Sequence, residues 1–394
     1  MLHEQTSPRS CRIPSDMKKI EKNISQFFLT SSILLYNLPP TSQQMKLPAK
    51  LAIASLAIVT AATSASAQNA TTDPVGFVTT TIPAGTGSAK TTVFVSAPLY
   101  DTATINGSAT GTLTGVSSNS LTNSAAGWTS GALSQASGPF FVQLTSGNGS
   151  GTMLLIQSNT ADTLTINSTY SPATDLTTLG IASGDSYRIS PADTIGSLFG
   201  TPADGVQGGT AQASADTVQL VVNGSASTYY YKTDATPAAR WTKVAFGNPD
   251  ATNEPVLPNF GIQYSRLAAT PLSLTATGSV PVSAREAAIK NSGATLLSNY
   301  WPADTTLAGL GLQNIPGWLS GANQNSADVV LTRSLTNGSS KTFFYNGTTW
   351  KQVGFGAPSS SDNEPIPVGT SVRIFRKGSA SGQSVISQSA PYTL

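Results

Sequence analysis

Histidine and cysteine are almost missing from this 394-residue chain, which has one of each, His3 and Cys11. Both precede a segment that reads as an export signal. Met45 begins MKLPAKLAIASLAIVTAATSASAQ. Lys46 and Lys50 form a positive n-region, residues 51–62 an apolar run too short to span a bilayer, and Ala65-Ser66-Ala67 a small-x-small cleavage site. On this reading 45–67 is a signal peptide, the mature protein starts at Gln68, and it is secreted or held at the cell surface. Residues 1–44 then read as an upstream extension from an early start. Residues 68–394 hold no histidine and no cysteine. That excludes disulfides, thiolate or imidazole metal sites, a Cys nucleophile and a Ser-His-Asp triad. No cysteine follows the apolar run, so a lipoprotein anchor has no support.

Charge is scarce too. Only 10% of residues are charged, and 68–394 keeps 14 Lys/Arg against 16 Asp/Glu, a formal balance of −2. No basic run remains for nucleic acid. No later stretch of 18 or more apolar residues predicts a transmembrane segment in the mature chain.

What the chain has is Thr, Ser, Ala, Gly and Asn, with β-branched residues alternating with small polar ones. KTTVFVSAPLY (90–100), PFFVQLTSG (139–147), GTMLLIQSN (151–159), DTVQLVVNG (216–224) and SVRIFRKG (371–378) suit half-buried strands punctuated by turn residues. The predicted fold class is all-β: tandem sandwich-like or barrel-like modules with an internal duplication. One short helix is expected near 284–291, where Ser283 and Glu286 form a capping box ahead of AREAAIKN and Gly293 can end it.

The duplication is explicit. WTKVAFGNPDATNEPVLPNFGIQYSR (241–266) returns as WKQVGFGAPSSSDNEPIPVGTSVRIFR (350–376). Upstream, PADT at 191–194 matches 302–305, Ser214-Ala215-Asp216 matches Ser326-Ala327-Asp328, and Asn223-Gly224-Ser225 matches Asn337-Gly338-Ser339. TYYY (228–231) matches TFFY (342–345). The expected organisation is an N-terminal β module at 68–190, a first repeat at 191–275 and a second at 276–394. Asn346-Gly347 predicts a two-residue type I′ turn that faces Trp350 towards the aromatic strand.

Several residues have both a structural and a functional reading. Trp241, Trp350, Tyr229 and Tyr230 are cross-strand packing partners or, if exposed, a platform for sugars. Asp250, Asn253 and Glu254, with Asp362, Asn363 and Glu364, form rigid Asn-Glu-Pro turns or, alternatively, oxygen ligands for Ca²⁺. The two glutamates fall in separate repeats, which argues against a glycosidase acid–base pair. Arg188, Arg266 and Arg376 each close a short strand, where they can cap an edge or pair with a carboxylate.

Asp73-Pro74-Val75-Gly76-Phe77-Val78, VSAPLYD (95–101), SNTADTL (158–164), SGDSYRISPADTIGSLFG (183–200) and the repeated Trp and Asn-Glu-Pro segments carry a resemblance over nearly the whole mature chain. It resembles an uncharacterised paralogous family of secreted proteins known from verrucomicrobial bacteria. The resemblance implies export and no established activity, cofactor or catalytic residue. The leading expectation is a non-enzymatic surface protein with a structural, coat or adhesive role and no required cofactor, its partners surface glycans or other surface proteins. A carbohydrate-binding module using exposed aromatics comes next, and a carboxylate-based polysaccharide hydrolase or lyase third.

Overall fold

The computed structural model describes residues 74–394 except 103, 136–137, 355–358 and 394. The segments expected to be an upstream extension and a signal peptide, with Gln68, His3 and Cys11, lie outside the described residues.

Alternation sets the strands. In β1 (Val75–Ile82) every second side chain from Val78 onward is buried, as a one-sided strand requires. It pairs with a strand almost 200 residues away, and this distance governs the architecture. Chain order runs from β1 to β2 (Thr91–Val95) and then through β3 (Thr110–Thr112), β4 (Gly115–Val116), β5 (Ser120–Thr122), β6 (Phe140–Leu144), β7 (Met153–Asn159), β8 (Thr163–Ile166) and β9 (Ser186–Pro191). β3 to β9 close into one seven-stranded sheet in the order β3-β9-β6-β7-β8-β5-β4, with its own apolar core around Leu121, Val142, Leu154 and Ile189.

Beyond that module come β10 (Asp193–Thr194), the short helix α1 (Ile195–Phe199), β11 (Thr217–Val222), β12 (Ser225–Lys232), β13 (Arg240–Lys243), β14 (Pro255–Val256), β15 (Ile262–Arg266) and β16 (Leu272–Ser279). A five-stranded sheet, β13-β12-β11-β15-β2, is flanked by the ribbons β1–β16 and β10–β14. The second copy repeats this with β17 (Arg285–Lys290), β18 (Ser292–Ser298), β19 (Thr305–Thr306), β20 (Val329–Arg333), β21 (Ser340–Tyr345), β22 (Trp350–Gln352), β23 (Pro365–Ile366), β24 (Ser371–Lys377) and β25 (Gln383–Gln388). Its sheet is β22-β21-β20-β24-β18, with ribbons β17–β25 and β19–β23.

The duplication is therefore real, but its boundaries differ from those expected. The first unit comprises 75–95 together with 193–279, because β1 and β2 pair with β16 and β15. The β3–β9 module is an insertion between β2 and β10, and not a free N-terminal domain. The second unit is continuous from 285 to 388. The first two strands of each copy escaped notice because VGFVTTTI and REAAIK share a place in the sheet without sharing residues.

The expected helix near 284–291 is strand β17. Arg285, Ala287 and Ile289 turn inward while Glu286, Ala288 and Lys290 turn outward, in register with β25 from Arg285↔Gln388 to Lys290↔Gln383. Six good helix formers do not nucleate a helix by themselves, and tertiary pairing overrides their propensity. Glu286 bonds Thr152 instead of capping. The α-helix among the described residues is α1, where Thr194 and Ser197 make the reciprocal cap.

The Asn346-Gly347 expectation also changes. Tyr345 pairs with Trp350 across a four-residue connection. The Asn346 carboxamide accepts from Thr348 N and Thr349 N at 3.0 and 2.9 Å, holding an Asx turn in which Gly347 alone takes a positive φ of 100°. The two-residue turn of the predicted kind is at Asn223-Gly224, φ 48° and 79°, between Val222 and Ser225.

The two units meet about a pseudo-two-fold axis. Val95 and Leu297 hold the same place, pairing with Ile262 and Val372 respectively. Val95 bridges to Thr370 of the other unit, and Leu297 bridges to Phe260, the counterpart of Thr370. Gln263 and Arg373, also equivalent, meet each other at 3.3 Å. Equivalent residues contacting each other mark an isologous interface, here within one chain.

Candidate functional site

Each residue singled out by the repeat has a definite position. Trp241 and Trp350 are 1% and 0% exposed. They pair in the same register, with Tyr231 and Tyr345, and pack edgewise or tilted against those rings at 6.0 and 5.6 Å. Trp241 Nε1 donates to the Gly200 carbonyl at 2.7 Å, so its one polar atom is satisfied inside. Tyr229 and Tyr230 are buried as well. Four rings with no face to solvent offer no platform for a sugar, so that candidate assignment is corrected to core packing.

The closing arginines belong to the interior. Arg266 pairs with Asp216, and Arg376 Nε lies 2.8 Å from Asp328, all four side chains being nearly inaccessible. Each aspartate also accepts main-chain donors: Gln207 N and Leu267 N on Asp216, Leu319 N and Lys377 N on Asp328, at 2.7–2.9 Å. The Ser-Ala-Asp and closing-Arg matches thus encode one buried ion pair per unit. Asp216 has one further donor, the Tyr264 hydroxyl at 2.8 Å.

The six Ca²⁺ candidates do not converge. Asp250 accepts from Thr252 N at 2.9 Å and faces Arg240 at 3.7 Å. Asp362 accepts from Trp350 N, Thr349 and Ser360, and these hydrogen bonds hold its carboxyl below the usual range against the opposing effect of desolvation. Asn253 and Asn363 are exposed turn residues. Glu254 Oε1 accepts from Tyr229 and Tyr170 at 2.8 and 2.7 Å, while Glu364 pairs with Lys341 at 2.7 Å. Among the described residues no three acidic, His or Cys side chains are grouped to hold a metal.

The most distinctive polar environment is one that sequence reasoning missed, the junction where the inserted module meets both units. Arg285, fully buried, donates from Nε to the Tyr100 hydroxyl at 2.9 Å and lies over the Tyr100 and Trp301 rings at 4.6 and 5.5 Å. Its charge is held by ring faces, an interaction worth about 2 kcal/mol when desolvated. Next to it Glu286 accepts from the Thr152 hydroxyl at 2.7 Å, and burial raises its carboxyl pKa, with the Thr152 bond opposing. Tyr170 stacks on Phe260 at 6.0 Å, and burial followed by the Glu254 charge pushes its hydroxyl pKa far up. A crevice bounded by Thr152, Tyr170, Asn259, Phe260, Glu286 and Lys290 has a cavity volume of about 40 Å³, room for a few waters and not for a sugar ring. Asn259 Oδ1 is a buried acceptor with no protein donor there. Glu286 is the single carboxylate in the lining, so the crevice lacks the second acid that glycoside hydrolysis uses. Reading 285–290 as a helix hid this site. The outward row Glu286-Ala288-Lys290, read with period two, is the signal that would have found it.

Comparison with protein-family models, with curated proteins and with solved structures finds no match to this chain.

Proposed function

We propose that this is an exported, non-enzymatic β protein with a structural, coat or adhesive role at the cell surface. The observation that carries the reading is where the duplicated residues reside: the tryptophans and the Asp–Arg pairs of both copies are buried in the scaffold. A duplication that retains core and ion-pair residues multiplies a building unit, not a reaction centre. The export segment at 45–67 and the resemblance to secreted verrucomicrobial proteins support the location.

The test is fractionation of producing cells with N-terminal sequencing, followed by glycan-array and polysaccharide-hydrolysis screens on the purified protein. Surface or culture-fluid material starting at Gln68 and inactive on polysaccharides is expected. Turnover of any polysaccharide, lost in Glu286→Gln, would overturn the reading.

A further inference from the structure

The inserted module fills a place in the first unit that stays open in the second. In the first unit Tyr170 of the module donates to Glu254 and stacks on Phe260, while Asn223 Nδ2 donates to the Thr169 and Ser171 carbonyls. What remains beside them is the crevice of about 40 Å³. The second unit runs straight from β18 to β19 and has no such module. The equivalent place there is a groove with a cavity volume of about 380 Å³, within the range of roughly 300–1,000 Å³ found for small-molecule sites. Arg333 and Thr370 line this groove where Val221 and Phe260 line the crevice. Val221 and Arg333 hold the same place in their strands, each three residues beyond the paired Val218 and Val330.

The residues that differ between the copies change the chemistry of that place. Glu254 accepts from two hydroxyls, those of Tyr229 and Tyr170. Its counterpart Glu364 has neither, because Phe343 stands for Tyr229 and no module reaches it. Glu364 pairs instead with Lys341 at 2.7 Å, and the lysine side chain is half exposed. Val221 becomes a cation. Arg333 donates to the Gly338 carbonyl at 2.9 Å and lies over the Phe94 ring at 5.6 Å. Among the described residues it forms no ion pair, and neither does Arg373, which stands on the same face of the sheet. Burial lowers the pKa of both guanidinium groups, and the Arg333 charge adds to the effect on Arg373. Partly desolvated cations with no counter-charge favour an anion beside them. The groove lining holds two cations, Arg333 and Lys341, against the single acid Glu364, with apolar surface from Leu335 and Ile366.

We propose that this groove binds an acidic saccharide, a uronate whose carboxylate pairs with Arg333 and whose hydroxyl donates to Glu364 as the Tyr170 hydroxyl does to Glu254. Three features select that class. A carboxylate supplies the counter-charge that Arg333 lacks. A hydroxyl supplies the donor that Glu364 lacks relative to Glu254. The apolar face of a sugar ring covers Leu335 and Ile366. A small carboxylate or a phosphate supplies only the first of these. One acid in the lining cannot serve as both acid and base, so the groove binds without hydrolysing. This rests on the adhesive form of the proposed function and names its ligand.

Titration calorimetry of the purified exported protein tests this with three probes: a galacturonic acid oligomer, the neutral galactose oligomer of the same length, and acetate. The acidic oligomer should bind, more weakly as salt rises, and the other two should bind far less. Arg333→Gln removes the charge, and Ser339→Glu sets a carboxylate on the groove lining. Each should weaken the acidic oligomer about tenfold or more. Ser339 is exposed, so its variant keeps the fold and decides the matter if Arg333→Gln lowers the melting temperature. Equal binding of the neutral oligomer overturns the proposal, as does acetate binding as tightly as the acidic oligomer. Unchanged affinity in Ser339→Glu overturns it too, because the ligand then sits elsewhere. Failure of every saccharide to bind overturns it while leaving a structural coat standing, since a coat unit needs no ligand. Acidic-oligomer binding by a protein that fractionation finds inside the cell would instead keep the site and sink the surface reading.

Discussion

Asp328 and Arg376 sit 2.8 Å apart with almost no solvent access, and two main-chain amides complete the aspartate's acceptor sites. Removing one member leaves the other charge buried without compensation, which costs about 3–5 kcal/mol. Asp328→Asn should therefore lower the urea midpoint sharply. Asp328→Leu with Arg376→Met removes the stranded charge but leaves Leu319 N and Lys377 N without an acceptor, so it should recover only part of the loss. If the single variant unfolds like the wild type, the pair does not hold the unit together.

Trp350 is the corresponding apolar element. It packs against Tyr345 and Trp318 at 5.6 and 5.7 Å. Trp350→Ala should cost about 3–5 kcal/mol, read as a lowered melting temperature. Trp350→Phe should cost clearly less. A Trp350→Ala protein with an unchanged melting temperature and altered ligand binding would contradict the core assignment.

These three residues also show what was legible in the sequence. Trp350, Asp328 and Arg376 are rare residue types in a Thr/Ser-rich chain, so their recurrence stood out and placed the duplicated units. The opening strands did not stand out. Val78 and Ala287 fill one place in the sheet with different side chains, and only long-range pairing with Ala276 and Ile386 reveals it. Arg285 was hidden for a related reason. A buried arginine between Tyr100 and Trp301 depends on segments far apart in the chain, and its helix-forming neighbours pointed to the wrong period.

Asp193 predicts a pH dependence. Burial first, then repulsion from Asp101, raises its carboxyl to about 7, with the Ser197 hydrogen bond opposing. The unfolded value is about 3.9, so between roughly pH 4 and 7 the folded state binds more protons than the unfolded one. The stability contribution is present in full below the unfolded pKa and is lost as pH rises through the folded one. Unfolding free energy attributable to this residue should decline from pH 4 to 7 and then level. Asp193→Asn should flatten the profile, most visibly by raising stability at pH 7 and above. A variant profile parallel to that of the wild type would refute the assignment.

Calcium removal should have no effect on the fold. Asp362 is occupied by Trp350 N, Thr349 and Ser360, and Glu364 by Lys341. Melting temperatures in EDTA and in millimolar Ca²⁺ should therefore agree. A rise in Ca²⁺ that Asp362→Asn abolishes would restore the ligand reading of that loop.

Glu254 ties the inserted module to the first unit. Its Oε1 accepts from Tyr229, within the same unit, and from Tyr170, in the module. Removing either hydroxyl leaves the carboxylate one donor short, at a cost of about 1–3 kcal/mol, but the consequences should differ. Tyr229→Phe acts within the unit and should lower global stability with module docking intact. Tyr170→Phe also keeps the ring stacked on Phe260, so apolar contact survives while the polar tie is lost. Hydrogen exchange should then accelerate around 167–175 and along β17, where the module covers it, before the β11–β12 amides change. Equal acceleration across both regions would mean that the Tyr170–Glu254 bond is not what fastens the module.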